Sequence, residues 1–99
     1  MPISTKPFDA AKYFLDANSQ ARLLADALEE GDAGYIAAAL GVVAKARGIT
    51  QIANETGLSR QALHKALSEN GNPTLDTVIK VIRALDLQLD VKAKMPVVV

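Results

Sequence analysis

The sequence has no cysteine and a single histidine, and these two shortages limit the chemistry it can perform. Without cysteine the chain forms no disulfide and no thiolate metal site. His64 alone makes no zinc site without several carboxylate ligands, and no third group is placed to orient it as a catalytic base. A glycine-rich phosphate loop is also missing. We therefore expect neither an enzyme nor a protein with a metal or other cofactor.

Long apolar runs are absent and aromatic residues are scarce. No run approaches the roughly 20 residues that span a bilayer. The first residues lack the basic start and apolar stretch of a signal peptide, so we expect a cytoplasmic protein with no membrane partner. Aromatic residues make up 4% of the chain, and all of them precede residue 36. A surface that stacks single-stranded bases needs aromatic side chains beside basic ones, so recognition of single strands is not expected.

The chain does contain enough apolar sequence for one small domain. Its 99 residues are 49% hydrophobic and 22% charged, with 11 basic and 11 acidic side chains. Chains of this size often gain stability from a second copy or a partner. Residues 1–40 carry three basic and six acidic residues, whereas residues 41–99 carry eight basic and five acidic ones. This asymmetry indicates two different partners, and an uneven scatter of surface charge is the alternative.

Apolar residues recur at helical spacing along the first half of the chain. Asp9 predicts the N-cap of a short helix over residues 10–15. Asn18 or Ser19 is expected to cap a second helix and Asp32 a third, each ending at a glycine. The predicted buried stripes of the second and third helices consist of Leu24, Ala27 and Leu28, and of Ile36, Leu40 and Val43.

The next stretch predicts two short helices joined by a tight turn. The first covers residues 49–56 with Thr50 as its N-cap, and Gly57 follows where a left-handed residue ends a helix. Ser59 is placed to cap a second helix that runs from Arg60 to about residue 69. Helices joined by so short a glycine turn cross at a steep angle. This pattern is typical of a helix-turn-helix.

The second of these helices has an apolar side and a polar side. At about 100° per residue, the polar side carries Arg60, Gln61, His64, Lys65 and Ser68. Any solvated helix has a polar face, but this one has no acidic residue before Glu69. Arginine, glutamine, histidine and lysine are also side chains that reach base edges in a major groove. Together with the glycine turn, this composition favours binding to duplex DNA.

The last third of the chain predicts one more helix and then a strand. Thr74 is the expected N-cap of a helix over residues 75–85, whose buried stripe consists of Leu75, Val78, Ile79, Ile82 and Leu85. From Leu87 to Lys92 apolar and polar residues alternate strictly, which predicts a half-buried strand. A lone strand leaves its backbone groups unpaired. Its simplest partner is the same strand of a second copy, in a homodimer, and the alternative is an extended tail packed on the helices.

Residues 37–89 resemble the lambda-repressor-like, Xre-type helix-turn-helix, through the segments TQIANETGLSRQALHKAL and ENGNPTLDTVIKVIRAL. With PFDAAKYF, ALEEGD and IAAALGVVAKARG before them, residues 6–91 are similar to probable addiction-module antidote proteins, the antitoxins of bacterial type II toxin–antitoxin pairs. The resemblance implies an all-α fold, a lambda-repressor-like domain of five or six helices with a short C-terminal β-strand. We therefore expect an N-terminal helical extension over 1–35, a helix-turn-helix domain over 36–86, and a strand and tail over 87–99.

The same resemblance implies sequence-specific binding to operator DNA, repression of the protein's own operon, and neutralisation of a small, basic, RelE-like toxin. The family's DNA-facing positions fall on Gln51, Ser59, Arg60, Gln61, His64 and Lys65. His64 stands where many relatives have an aromatic residue. Gln51 opens the first helix of the motif, where a helix N-terminus and an amide can hold a phosphate. Ser59 can cap its helix and contact a phosphate as well.

Two further groups of residues are candidate contacts. Asn70 and Asn72 are placed either to contact the DNA backbone or to serve as plain turn residues. The acidic residues expected to face a basic toxin are Asp26, Glu29, Glu30 and Asp32. Two other functions stay open, a stand-alone Xre-type repressor without a toxin and a protein-binding module that does not bind DNA. A gene for a small basic protein beside this one favours the antitoxin.

Overall fold

The computed structural model describes residues 16–94, and these residues contain five helices and no strand. The helices are α1 (Ala17–Glu30), α2 (Ala33–Arg47), α3 (Ile49–Thr56), α4 (Arg60–Ala66) and α5 (Leu75–Ala84). The predicted all-α class is thus confirmed for this part of the chain. The helix predicted over residues 10–15 and its N-cap Asp9 lie outside the described residues.

Side-chain caps fix the starts of four of these helices, namely α1, α2, α4 and α5. Asp32 caps α2 and Thr74 caps α5, as predicted, each accepting a backbone N–H from three residues ahead at 3.1 Å. The cap of α1 is Asp16 rather than Asn18 or Ser19, because the Asp16 carboxylate accepts the N–H of Ser19 at 2.7 Å. A charged acceptor is favoured there by the helix dipole. The same hydrogen bond from the Ser19 N–H lowers the pKa of Asp16.

Gly48 joins α2 directly to α3. Its φ of 114°, which favours glycine, makes it the C-cap of α2 and the N-cap of α3, and the two helices bend by 106°. The predicted cap at Thr50 is therefore wrong, because α3 already begins at Ile49 and Thr50 lies in its first turn.

By length and composition alone, the bent pair of α2 and α3 meets the criteria for a membrane-spanning segment. No single helix within residues 16–94 does so.

The core surrounds α2, which contributes small side chains where other helices approach. Its buried residues are Ala37, Ala39, Leu40, Gly41, Val43 and Ala44. The other helices and Leu85, which directly follows α5, supply larger side chains. Among these, Ile52, Leu63, Val81 and Leu85 are almost completely buried. A Cβ on Gly41 would overlap the carbonyl oxygen of Leu67. The backbone of α2 therefore lies in direct contact with the end of α4.

Three residues predicted to be buried are exposed, namely Leu28 (45%), Leu75 (71%) and Ile79 (36%). On α5 the buried stripe contains Val81, which the sequence did not predict, beside Ile82 and the C-cap Leu85. With half-buried Val78, these residues stand at i, i+3, i+4 and i+7, which is one face of a helix. Leu75 and Ile79 flank that face. They are therefore left outside the core of the described chain.

The strand predicted from Leu87 to Lys92 is not formed in residues 16–94 of the single chain. A strand needs a neighbouring strand for its hydrogen-bond ladder, and no other described segment provides one. Leu87 is half-buried and packs against the core, whereas Leu89 is 42% and Val91 92% exposed. The packed tail considered as an alternative therefore holds for the start of the segment but not for its end.

Candidate nucleic-acid interface

The turn between α3 and α4 is three residues long and is closed by hydrogen bonds. Gly57 has the left-handed conformation (φ 78°, ψ 9°) that ends α3, as predicted, and its N–H donates to the carbonyl of Ala53 at 2.9 Å. The hydroxyl of Thr56 donates to the carbonyl of Ile52 at 2.7 Å and accepts the N–H of Leu58 at 3.3 Å. These contacts fix the direction in which the chain enters α4.

Ser59 caps α4 as predicted, since its hydroxyl oxygen accepts the N–H of Ala62 at 2.9 Å. Leu63 is completely buried and defines the inner side of the helix. The helix ends at Ala66, earlier than the predicted residue 69. The backbone leaves the helix at Leu67, whose side chain stays buried against the core beside α2. Packing therefore limits α4 to seven residues.

Every residue predicted to face DNA lies on the surface of the chain, namely Gln51, Ser59, Arg60, Gln61, His64, Lys65, Asn70 and Asn72. Arg60, His64 and Lys65 form no ion pair with any residue in 16–94. Since Leu63 sets the inner side of α4, the polar residues of this helix share its outer side. The surface formed by Arg60, Gln61, His64 and Lys65 is called the α4 polar face below.

Among the predicted DNA-facing positions, Gln51 has an acidic neighbour, whereas Asn70 and Asn72 have no side-chain hydrogen bond within the described residues. The amide of Gln51 donates to the carboxylate of Glu55 at 3.2 Å, one turn along α3. Glu55 was not among the predicted site residues, although the i, i+4 spacing of the two residues indicates such a contact. Asn70 and Asn72 lie in the loop after α4, and neither side chain is hydrogen-bonded to another described residue. Both interpretations of these asparagines, a contact with the DNA backbone and a turn residue, stay predictions.

The acidic residues proposed to face a toxin lie on a different part of the molecule. Asp26, Glu29 and Glu30 are exposed in the second half of α1, and Asp32 is exposed in the turn that follows. The last turn of α1 contains no basic residue. Asp32 also has a structural task, because its carboxylate caps α2. The charges thus surround the end of α1, which packs chiefly on α2.

Two features near the end of the described chain have no signal in the sequence. Arg47 donates to the carboxylate of Asp86 at 2.8 Å across 39 positions of sequence. A groove of about 710 Å³ lies between α1 and residues 87–94, and its apolar wall includes Leu28, Leu89 and Val91. Helical and strand periodicity predict each wall separately. Neither pattern shows that the two walls lie side by side.

The fold and the surface together define a small protein, all-helical over residues 16–94, in which a glycine turn precedes an exposed polar helix face. A family model described as "Probable addiction module antidote protein" matches residues 4–93, and the chain belongs to this family. A protein of Haemophilus influenzae named "Uncharacterized protein" is 44% identical over 87 residues, which are 88% of this chain and 90% of that protein. No solved structure matches the chain. The predicted family is confirmed, and its Xre-type motif stays a prediction.

Proposed function

We propose that the protein is the antitoxin of a bacterial type II toxin–antitoxin pair. In this proposal α3 and α4 form a lambda-repressor-like, Xre-type helix-turn-helix that binds operator DNA and represses the operon. The other half of the molecule neutralises a small, basic, RelE-like toxin in the cytoplasm. Membership of the antidote family supports a toxin partner in general. The observation that carries the DNA-binding part is the α4 polar face, held outward behind a capped glycine turn.

The composition of the α4 polar face suits contact with duplex DNA. Arg60 lies in the first turn of α4, and its guanidinium can bind guanine through two hydrogen bonds. Gln61 can bind adenine through its amide in the same way. His64 lies one turn further along, and Lys65 lies at the edge of the face, where a phosphate contact fits better. Arg60 and Lys65 have no acidic partner in residues 16–94, so no ion pair within this part of the chain must break before DNA binds.

The acidic end of α1 supports a basic protein partner. Glu29 and Glu30 lie in the last turn of a helix, where the helix dipole disfavours negative charge by about 0.3–1 kcal/mol for each residue. No basic residue in that turn offsets the unfavourable interaction. A basic toxin would offset it, and charges at the rim of an interface mainly set the rate of association. Asp26 and Asp32 extend the same acidic surface.

A homodimer completes the proposal. Operators of helix-turn-helix proteins are read by two recognition helices related by a two-fold axis and about 34 Å apart. A chain with one such helix therefore needs a second copy to read both half-sites. We propose that the copies associate through the segment from Leu87 to Lys92.

Two measurements test the proposed function. The product of the adjacent gene, the proposed toxin, should arrest growth when it is expressed alone. Co-expression of this chain should restore growth, and pull-down should recover a complex of the two proteins. In a separate titration, affinity for duplex DNA should fall steeply as salt rises, because bound phosphates release counterions. DNA binding without a toxin complex would identify a stand-alone repressor instead. A toxin complex without salt-dependent DNA binding would identify a protein-binding module.

Charge variants test the acidic surface directly. Changing Asp26, Glu29 and Glu30 to lysine removes the attraction, and Asp32→Asn neutralises the fourth charge while keeping an N-cap side chain. We expect the association rate with the toxin to fall by at least about tenfold. Asp76→Lys, an exposed acid on α5, is the matched control. An unchanged association rate in the combined variant would refute the assignment of this surface to the toxin.

A further inference from the structure

The segment after α5 leaves the helices from a fixed point. Asp86 has a φ of 57°, and its carboxylate is held by Arg47 at 2.8 Å. The N–H of Leu87 donates to the carbonyl of Ile82 at 3.1 Å. These contacts connect both ends of the turn to the helical body. The position at which residues 88–94 emerge is therefore set by the fold.

Beyond Leu87 the backbone of this segment has no backbone partner among the described residues. Within residues 16–94, no backbone–backbone hydrogen bond reaches residues 88–94, and the N–H of Val91 donates only to the neighbouring Asp90 carboxylate at 2.8 Å. Exposure of the apolar positions also rises along the segment, from half-buried Leu87 to 42% at Leu89 and 92% at Val91. The segment thus presents an open edge whose apolar side loses its cover towards Val91.

We infer that two copies of the chain pair through residues 88–94 as an antiparallel ribbon with its two-fold axis at Val91. The inference rests on the homodimer of the proposed function and specifies its interface. In this register Leu89 faces Ala93 and Gln88 faces Lys94 of the second copy. Asp90 faces Lys92, and the symmetry forms this pair twice. Opposite charges directly across an antiparallel pair stabilise it.

Charge excludes most of the neighbouring registers. An axis at Asp90 opposes two aspartates, an axis at Lys92 opposes two lysines, and like charges directly opposite destabilise a pair. An axis at Ala93 opposes Lys92 to Lys94. In registers whose two-fold axis lies between two residues, the apolar side of one copy would lie against the polar side of the other. One neighbouring register is left.

That register has its axis at Leu89. It sets Lys92 against Asp86, but Asp86 is turned out of line by its φ of 57° and is held by Arg47. The ribbon would therefore stop at Leu87 and contain five residues of each chain rather than seven. The axis at Val91 gives the longer ladder and both pairs of opposite charges. It also places the second copy beside Val91, which is more exposed than Leu89.

Single-cysteine variants measure the register, because the native chain has no cysteine. Only a residue at the two-fold axis faces its own copy, and a disulfide needs Cβ atoms about 3.5–4.5 Å apart. Leu89→Cys, Asp90→Cys, Val91→Cys and Lys92→Cys are oxidised mildly and separated on non-reducing gels. We expect Val91→Cys to cross-link at least about fivefold more than the others. Most cross-linking at another position would overturn the register, and none at any position would overturn the interface.

Charge exchange provides an independent measurement by sedimentation equilibrium. Asp90→Lys sets the introduced lysine against Lys92, so we expect the dimer Kd to rise at least about tenfold. The double variant Asp90→Lys/Lys92→Asp restores both opposite pairs and should restore the dimer. Lys94→Asp, which faces Gln88, is the matched control and should have little effect. Failure of the double variant to recover would overturn the inferred pairing.

The same variants separate this inference from the proposed function. A native chain that binds operator DNA or toxin but stays monomeric at tens of micromolar would overturn the ribbon and the proposed homodimer, and would leave the antitoxin and DNA-binding parts of the proposed function intact. A chain that cross-links through Val91→Cys but binds neither duplex DNA nor the toxin would support the ribbon and refute the proposed function.

Discussion

Arg60 and Lys65 lie on the same polar face, and we predict that removing each affects DNA binding differently. Both are exposed, and neither forms an ion pair within residues 16–94. Alanine is also the strongest helix former. Each truncation should therefore leave the fold intact. A change in affinity then reports a lost contact with DNA.

The expected magnitudes follow from the position of each side chain. Arg60, in the first turn of α4, is the residue that we propose to contact a guanine, and such a pair contributes about 1–3 kcal/mol of discrimination. Arg60→Ala should therefore weaken binding to the cognate operator about 5- to 150-fold and binding to random duplex very little. For Lys65 we propose a phosphate contact. Lys65→Ala should weaken both duplexes alike and reduce the slope of log K against log salt by about 0.9.

The assay is fluorescence anisotropy with two duplexes of equal length. One is a duplex that the native chain enriches from a random-sequence library, and the other is a shuffled version of it. Lys45→Ala, an exposed lysine on α2, is the matched control, and thermal unfolding verifies each fold. The assignment of Arg60 is wrong if its loss unfolds the chain or leaves the ratio of the two affinities unchanged. A loss confined to the cognate duplex would refute the phosphate role of Lys65.

Three further predictions concern stability and DNA affinity. Gly41→Ala should lower the free energy of unfolding in urea by about 1–3 kcal/mol or more, because the added Cβ would overlap the carbonyl oxygen of Leu67. As pH falls below the ordinary aspartate pKa, the free energy of unfolding should decrease more for the native chain than for the Asp16→Ala variant. The N–H that Asp16 accepts lowers its pKa in the fold, so its contribution is present above the unfolded pKa and is lost as pH falls through the folded pKa. Glu55→Gln should strengthen binding to both duplexes in anisotropy, since it removes a carboxylate beside Gln51.

Each of these predictions has a matched variant. Gly34→Ala places a Cβ 2.9 Å from the carbonyl oxygen of Glu69, so its loss should be smaller than that of Gly41→Ala. An equal loss would contradict the argument from close approach. Asp16→Asn keeps a capping side chain without the charge, and a pH response equal to that of the native chain would assign the effect to other carboxylates. Asp26→Asn should change DNA affinity less than the α3 substitution does. An equal gain would indicate a general effect of net charge.

Caps and glycine turns were predictable from the sequence because they act over only three or four residues. Asp32, Gly57, Ser59 and Thr74 all end or begin helices where the sequence predicts. The end of α4 was not predictable, since it depends on Leu67 packing against a helix more than twenty positions earlier. The composition of α4 predicted which of its sides is polar. That this side is exposed depends on Leu63, which is completely buried and holds the opposite side against the core.

Periodicity identifies apolar stripes but not which part of a stripe finds a partner. Leu75 and Ile79 fit the predicted stripe of α5, yet the described helices cover only its neighbouring side. The alternation from Leu87 to Lys92 indicates a strand, but a ladder needs a second strand, which residues 16–94 of one chain do not supply. The contact of Arg47 with Asp86 had no local signal at all. Such features depend on tertiary or quaternary neighbours.

The Ser59 cap, the Gly57 turn and the buried Leu63 hold α4 in its helical form before any partner arrives. A helix that is already folded contributes no folding transition to the binding reaction. Coupled folding typically adds the heat-capacity signature of about 1,000–3,000 Å² of buried surface and costs about 2–5 kcal/mol in ordering. In calorimetry, the heat-capacity change on binding DNA should therefore scale with the contact area alone.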